Sequence, residues 1–304
     1  MDNNKIMIVG TGNVGASIAY AIMNQRTAIN EIILTDIIAK DAEGEAMDLR
    51  DALAAAPSFV KISSGTYQDA KDCDVIVITA GAAQKPGETR MELLAKNVNI
   101  LKGMIEQIMD SGFNGLFLVV TNPMDVLTYY TYKFSGLSSD KIIGSGTVLD
   151  SARLRTRISN YLNTNPKSVH AYQVGEHGDT ELTLWSLADL GGQPISKLLD
   201  KNLRTDISNF VRNEAYDIID KKGATYYGIA TCVVDILNCI FNDELRVLPV
   251  SSYDHFSDTS FGWPSVVGRT GIQRRLDLKI SEHEGIALQK SINTLKQAIS
   301  SVKF

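Results

Sequence analysis

Cysteine is scarce in this 304-residue sequence: Cys73, Cys232 and Cys239 stand alone, with no C-x-x-C spacing among them. An odd, scattered set makes neither a disulfide framework nor a zinc site, so the expectation is reduced, buried thiols in a cytoplasmic protein without a metal. Long apolar runs are missing too. No stretch approaches the roughly 20 residues of a membrane span, and the opening "MDNNKIMIVG" is too polar, then too briefly apolar, for a signal peptide. Basic clustering is absent: 30 Lys and Arg stand against 35 Asp and Glu, with no basic stripe or polybasic tail, which argues against a nucleic-acid partner. There is no internal repeat, low-complexity segment or Pro-rich linker. What is left, 44% hydrophobic and 21% charged, is an ordinary globular composition, long enough for one large or two medium domains.

The first half alternates short apolar runs with helical spacing. "KIMIV", "EIILTD", "VIVITA", "GLFLVV" and "KIIGSG" read as strands, with helices over 14–24, 42–55, 91–109 and 125–134. Continuous Val, Ile and Leu suggest strands covered on both faces, hence a parallel sheet of the doubly wound α/β kind. After about Gly146 the texture changes. A helix over 148–163 leads into "SVHAYQV", and strand-like "LRVLPVSSYD" and "PSVVG" mix with helices over 204–222, 225–240 and 281–302. The division is 1–146 and 147–304, an α/β half and an α+β half.

"IMIVGTGNVGASIAYAI" places Gly10, Gly12 and Gly15 as G-x-G-x-x-G after a strand and at the opening of a helix. Gly10 permits the tight turn, Gly12 lets backbone approach a pyrophosphate, and Gly15 lets helix and sheet pack closely. Phosphates then meet the helix N-terminus and its unpaired N–H groups. Asp36 ends the next strand, where a carboxylate accepts bonds from a ribose diol and repels a 2′-phosphate, favouring NAD over NADP. A plain glycine turn with a surface acid is the alternative; strand, glycines, helix and acid in this order favour the nucleotide.

Four further segments carry chemistry. "TAGAAQKPGETRMELL" follows a strand end, with Gly81 and Gly87 permissive, Pro86 stiffening, and Gln84, Lys85 and Arg90 polar. It has the makings of a lid; a solvated surface loop has the same composition. Asp150 and Arg153 share a helix face, as a carboxylate clamp with its acid or as a simple intrahelical ion pair. Asn122 lies in "VVTNPMD", placed to bond a ligand or to shape the turn before Pro123. "QVGEHGDTEL" holds His177, one of four histidines, between glycines and acids, a polar setting suited to proton exchange.

Together "GTGNVG", "TAGAAQKPGETR", "VTNPMDV", "GSGTVLDSARLR" and "VGEHGDTEL" resemble the bacterial L-lactate dehydrogenases, the pyruvate branch of the NAD-dependent lactate/malate dehydrogenase family, from Lys5 to about Ala298. The resemblance implies a Rossmann-type NAD domain, an α+β catalytic domain and a cytoplasmic homotetramer serving glycolysis and fermentation. It implies that His177 is the acid–base residue, Asp150 its orienting carboxylate, Arg153 the clamp on the substrate carboxylate, and Arg90 the group polarising the carbonyl. Asn122 matches a residue near substrate and nicotinamide, while Thr225 and Ile229 match positions lining the pocket and the nicotinamide face. Val14, Asp36, Tyr67, Gly81 and Ala82 match NAD contacts. Gln84 stands where malate-type members carry arginine. A neutral amide there leaves a second substrate carboxylate unpaired, which favours pyruvate. Arg155 and His170 match an arginine and a histidine that bind fructose 1,6-bisphosphate, an activator, at a subunit interface. Asp41 departs from the basic residue common near the adenosine, and the N-terminal arm of animal forms is missing. Lys221–Lys222 and Arg274–Arg275 read as solvated charges, and His255 and His283 carry no motif. A dehydrogenase for bulkier 2-hydroxy acids and a silent NAD-binding protein are the competing readings.

Overall fold

The structure is a computed structural model that describes residues 4–82, Gly87 and 89–302. Its first half lays down β1 (Lys5–Val9), α1 (Asn13–Asn24), β2 (Glu31–Thr35), α2 (Ala39–Ala52), β3 (Lys61–Ser64), β4 (Val75–Ile78), α3 (Arg90–Asp110), β5 (Leu116–Val119), α4 (Met124–Ser135) and β6 (Ile142–Gly144). The six strands pair in parallel in the order β3-β2-β1-β4-β5-β6. Apolar side chains leave both faces of each inner strand. On β1, Ile6 and Ile8 enter a core shared with α1, whereas Met7 and Val9 enter another shared with α3 and α4. Strand order reverses between β1 and β4, and the crevice beyond their carboxyl ends is the ligand position in such sheets. β3, "KISS", is absent from the sequence expectation because only Ile62 of its four residues is buried.

The second half comprises α5 (Val148–Leu162), β7 (Val169–His170), β8 (Gln173–Val174), β9 (Leu182–Thr183), β10 (Asp189–Leu190), β11 (Gln193–Pro194), α6 (Ile195–Leu198), α7 (Lys201–Lys222), α8 (Tyr227–Phe241), β12 (Arg246–Leu248), β13 (Ser251–Asp254), β14 (Thr259–Gly262), β15 (Ser265–Gly268), β16 (Gly271–Arg275) and α9 (Glu282–Ser301). β13 pairs antiparallel with β6, and β14 with β13, so the large sheet grows to eight strands across residue 146. α8 packs against α1 over the same boundary.

Several local expectations are corrected. "SVHAYQV" forms two short strands, β7 and β8, in separate sheets. The helix expected from residue 225 starts at Tyr227, because Gly223 closes α7 at φ +83° and the next residues form a link. Arg275 is not solvated: its guanidinium lies over the Phe261 ring at 4.5 Å and donates to the Ser252 carbonyl at 2.7 Å. Burial pulls its pKa down to about 10. Cys232 is half-buried, unlike Cys73 and Cys239, and all three thiols are free. Among the described residues no helix is long and apolar enough to cross a membrane.

Candidate active site

The turn after β8 throws His177 into the interior by backbone geometry. Gly175 sits at φ +88°, a region that suits glycine, and exchanges two backbone hydrogen bonds of 2.9 Å with Gly262 in β14. The next residues are held by side chains. Glu176 N–H donates to Ser291 Oγ at 2.7 Å, and His177 N–H donates to Asp125 Oδ2 at 2.7 Å. Asp125 lies in the first turn of α4, and its other oxygen accepts from Ser251 Oγ at 2.6 Å.

The ring is fixed separately. His177 Nδ1–H donates to Asp150 Oδ2 at 2.6 Å, and Arg153 Nη1 donates to Asp150 Oδ1 at 3.0 Å. Asp150 and Arg153 are one turn apart in α5, so a single helix presents both to the histidine. Arg153 Nε also faces Glu214 Oε2 of α7 at 3.6 Å. The Asp150 carboxylate raises His177 from 6.5 to about 9, against the opposing effect of burial. Burial pushes Asp150 upward, but the imidazolium and the guanidinium outweigh it and hold the acid below its ordinary range. Glu181 joins the cluster, its carboxylate within 4.8 Å of the ligand atoms of Asp150 and His177. Burial, helped by the Asp150 charge, lifts it to about 8. Burial likewise lifts Asp125 to about 7. The chemistry is therefore unequal: Asp150 stays ionised, Glu181 keeps its proton near neutrality, and His177 is an imidazolium. With Nδ1 committed to Asp150, Nε2 is the nitrogen free to exchange a proton; it has no hydrogen-bond partner among the described residues. The histidine side chain is 26% exposed, so a small ligand can reach it.

A second site lies over the β1–β4 crevice, a cavity of about 890 Å³ whose lining includes Gly10, Gly12, Asp36, Tyr67, Gly81, Ala82 and Ile100. A Cβ on Gly15 would fall 1.9 Å from the Gly10 carbonyl oxygen, so α1 meets its own entry turn only without one. Among the described residues a Cβ on Gly12 would meet no non-neighbouring atom within 4 Å, which leaves its open side for a ligand. Among the described residues no side chain caps the N-terminus of α1, so its first N–H groups are available for phosphate. Asp36 is pre-set by Thr11 N–H and Ile38 N–H, at 2.7 and 3.2 Å. These features fit a dinucleotide. Val14 and Ile229 pack, partly buried, against the apolar core, and Gly15 is buried in the helix–sheet contact. Asn122 is exposed just beyond β5, three residues before Asp125.

Residues 4–144 match the family described as lactate/malate dehydrogenase, NAD binding domain, and residues 147–303 match lactate/malate dehydrogenase, alpha/beta C-terminal domain. The chain belongs to the lactate/malate dehydrogenase family. It is 47% identical to an L-lactate dehydrogenase of Geobacillus sp. (strain WCH70), covering 98% of this chain and 96% of that one. It is 46% identical to L-lactate dehydrogenase 1 of Bacillus cereus (strain ATCC 10987 / NRS 248), covering 98% of each. A crystal structure of the minor L-lactate dehydrogenase of Enterococcus mundtii, in the ligands-bound form, superposes with a TM-score of 0.97 at 41% identity, covering 100% of both chains.

Membership makes the chain an NAD-dependent dehydrogenase with NAD as its cofactor. Around the histidine, the structure joins His177, Asp150 and Arg153 in direct contact. Gln84 and the side chain of Arg90 lie outside the described residues. The loop bearing them leaves β4 through Ala82, whose N–H is held by the buried Asn97 at 2.8 Å. Thr225 is half-buried in the link before α8. Arg155 donates from Nε to the Ser151 carbonyl at 3.4 Å, while His170 is 65% exposed with Asp189 of β10 at 3.5 Å. Sequence reasoning passed over Asp125, Ser251, Glu181 and Glu214. A first-turn acid directly after "TNPM" was the one local signal, and it marked Asp125 alone.

Proposed function

We propose that the chain is an L-lactate dehydrogenase, reducing pyruvate to L-lactate and running the reverse reaction. The observation that carries this is the linked trio of His177, Asp150 and Arg153: an imidazolium and a guanidinium held on one buried carboxylate. Arg153 binds the keto acid's carboxylate and so fixes the substrate's orientation. His177 Nε2 donates its proton to the keto oxygen and becomes neutral; in reverse it takes the proton from the lactate hydroxyl. Asp150 keeps the ring in one tautomer and favours its charged form. Arg90, arriving with the 81–90 loop, polarises the carbonyl and helps exclude water. NADH bound in the cleft supplies the hydride. Gly10, Gly12, Val14, Gly15, Asp36, Tyr67, Gly81, Ala82, Asn122 and Ile229 form or support the nucleotide site. Thr225 and Gln84 line the substrate pocket, and the neutral Gln84 favours a methyl group over a second carboxylate.

NADH absorbance loss measured with pyruvate, oxaloacetate and a branched 2-keto acid tests the reading. Pyruvate is expected to turn over fastest. Oxaloacetate in first place would move the chain to the malate branch, and the branched acid to a broader 2-hydroxy-acid enzyme.

The assignment extends to a division near residue 146, a cytoplasmic homotetramer in fermentative glycolysis, and activation by fructose 1,6-bisphosphate through Arg155 and His170. A bisphosphate would relieve repulsion between cationic groups facing each other across an interface. Saturation curves with and without it, in the parent and in Arg155→Gln, test the last point; the parent curve should shift and the variant's should not.

A further inference from the structure

Arg153 faces two carboxylates of the protein before any substrate arrives. Asp150 bonds Nη1 at 3.0 Å, while Glu214 stands 3.6 Å from Nε, beyond hydrogen-bond reach. Asp150 and burial already aim the guanidinium, whose side chain is 9% exposed, so Glu214 is not needed to orient it. Glu214 is 29% exposed and free to turn toward solvent. Three and four positions away on α7 lie Phe210, Val211, Asp217 and Ile218, and none is a cation. Among the described residues, Arg153 is the one cation within ion-pair distance of Glu214.

Charge counting sets the direction of its effect. Of the four groups joined by side-chain ion pairs, Arg153 and the His177 imidazolium balance Asp150 and Glu214. The empty set is neutral. A bound 2-keto acid adds a third carboxylate, and the loaded set becomes negative.

We infer that Glu214 determines substrate affinity as an internal carboxylate competing with the substrate's own for Arg153. The inference rests on Arg153 being the substrate's partner, as proposed above. Its role is to weaken ground-state binding, leaving the proton-transfer groups untouched.

Steady-state kinetics on the full-length enzyme at saturating NADH test it, with Glu214→Gln and Glu214→Ala. The KM for pyruvate is expected to fall about two- to fivefold in both, the worth of a partly solvated ion pair. The kcat and the NADH dissociation constant, followed by fluorescence titration, are expected to hold. A raised KM in both would make Glu214 a support for Arg153 and overturn the inference, as would an unchanged KM. If the unsubstituted enzyme binds NADH but turns over no 2-keto acid, the functional reading itself fails, a result distinct from a misplaced KM.

Discussion

The backbone N–H of His177 donates to the carboxylate of Asp125 at 2.7 Å, so this histidine is fixed through its main chain as well as its ring. Asp125 is 2% exposed and carries no cationic partner of its own in α4; its charge faces the His177 imidazolium. Asp125→Asn keeps an acceptor for His177 N–H and turns its amide toward Ser251 Oγ. Folding should survive, with a loss of about 1–2 kcal/mol. The Asp125 charge helps to raise His177, so the pKa governing kcat/KM should drop. An unchanged pH profile would deny Asp125 any electrostatic part.

Asp150→Asn should cut more deeply. It removes the charge that most raises His177 and leaves Arg153 with only Glu214. General acid–base catalysis contributes on the order of 100- to 10,000-fold, and kcat should fall within that range. A kcat within a factor of about 3 of the parent would show that catalysis does not depend on the negative charge of this acid.

The acid–base pKa of the free enzyme should appear near pH 9. Pyruvate reduction needs the imidazolium, so its kcat/KM should be flat below that pH and fall above it. Lactate oxidation needs the neutral ring and should rise through the same range. Stability follows the same group: the folded pKa lies above the ordinary 6.5, so the histidine's contribution is complete below 6.5 and lost as pH climbs through about 9. Asp150 works at the other end, its contribution present above 3.8 and lost as pH falls through its lowered folded value. Thermal melts across pH check both.

Two glycines should fail differently. Gly15→Ala forces a methyl to 1.9 Å from the Gly10 carbonyl and should lower both Tm and NADH affinity. Gly12→Ala meets no non-neighbouring atom among the described residues and should leave Tm unchanged while weakening NADH binding about tenfold or more. Equal Tm losses would mean that the open side of Gly12 is not reserved for cofactor.

Gln84→Arg supplies the charge that a second substrate carboxylate lacks. The ratio of kcat/KM for oxaloacetate over pyruvate should rise at least about tenfold. A ratio unmoved by the substitution removes Gln84 from the specificity argument.

What could be read from the sequence was what the chain writes locally. The turn from β1 into α1, with Gly10, Gly12 and Gly15, is a contiguous pattern, and Asp36 follows at the end of the next strand. Asp150 and Arg153 announce themselves by their spacing, and His177 by its glycines. The groups that complete the cluster do not. Ser251 lies 126 positions from Asp125, and Glu214 comes from a helix far along the chain, so neither leaves a periodic trace beside its partner. The same holds for β16, whose "GIQRR" reads as solvated charge until Phe261 covers Arg275.

The antiparallel pair β13–β14 completes the large sheet beside β6. Severing the polypeptide at residue 146 would strip β6 of that neighbour and leave its edge open, an invitation to self-association. It would also take Ser251 away from Asp125. The nucleotide-binding half is thus a borrower, finished only when the tail of the chain returns, and its isolated fragment should precipitate rather than bind NADH.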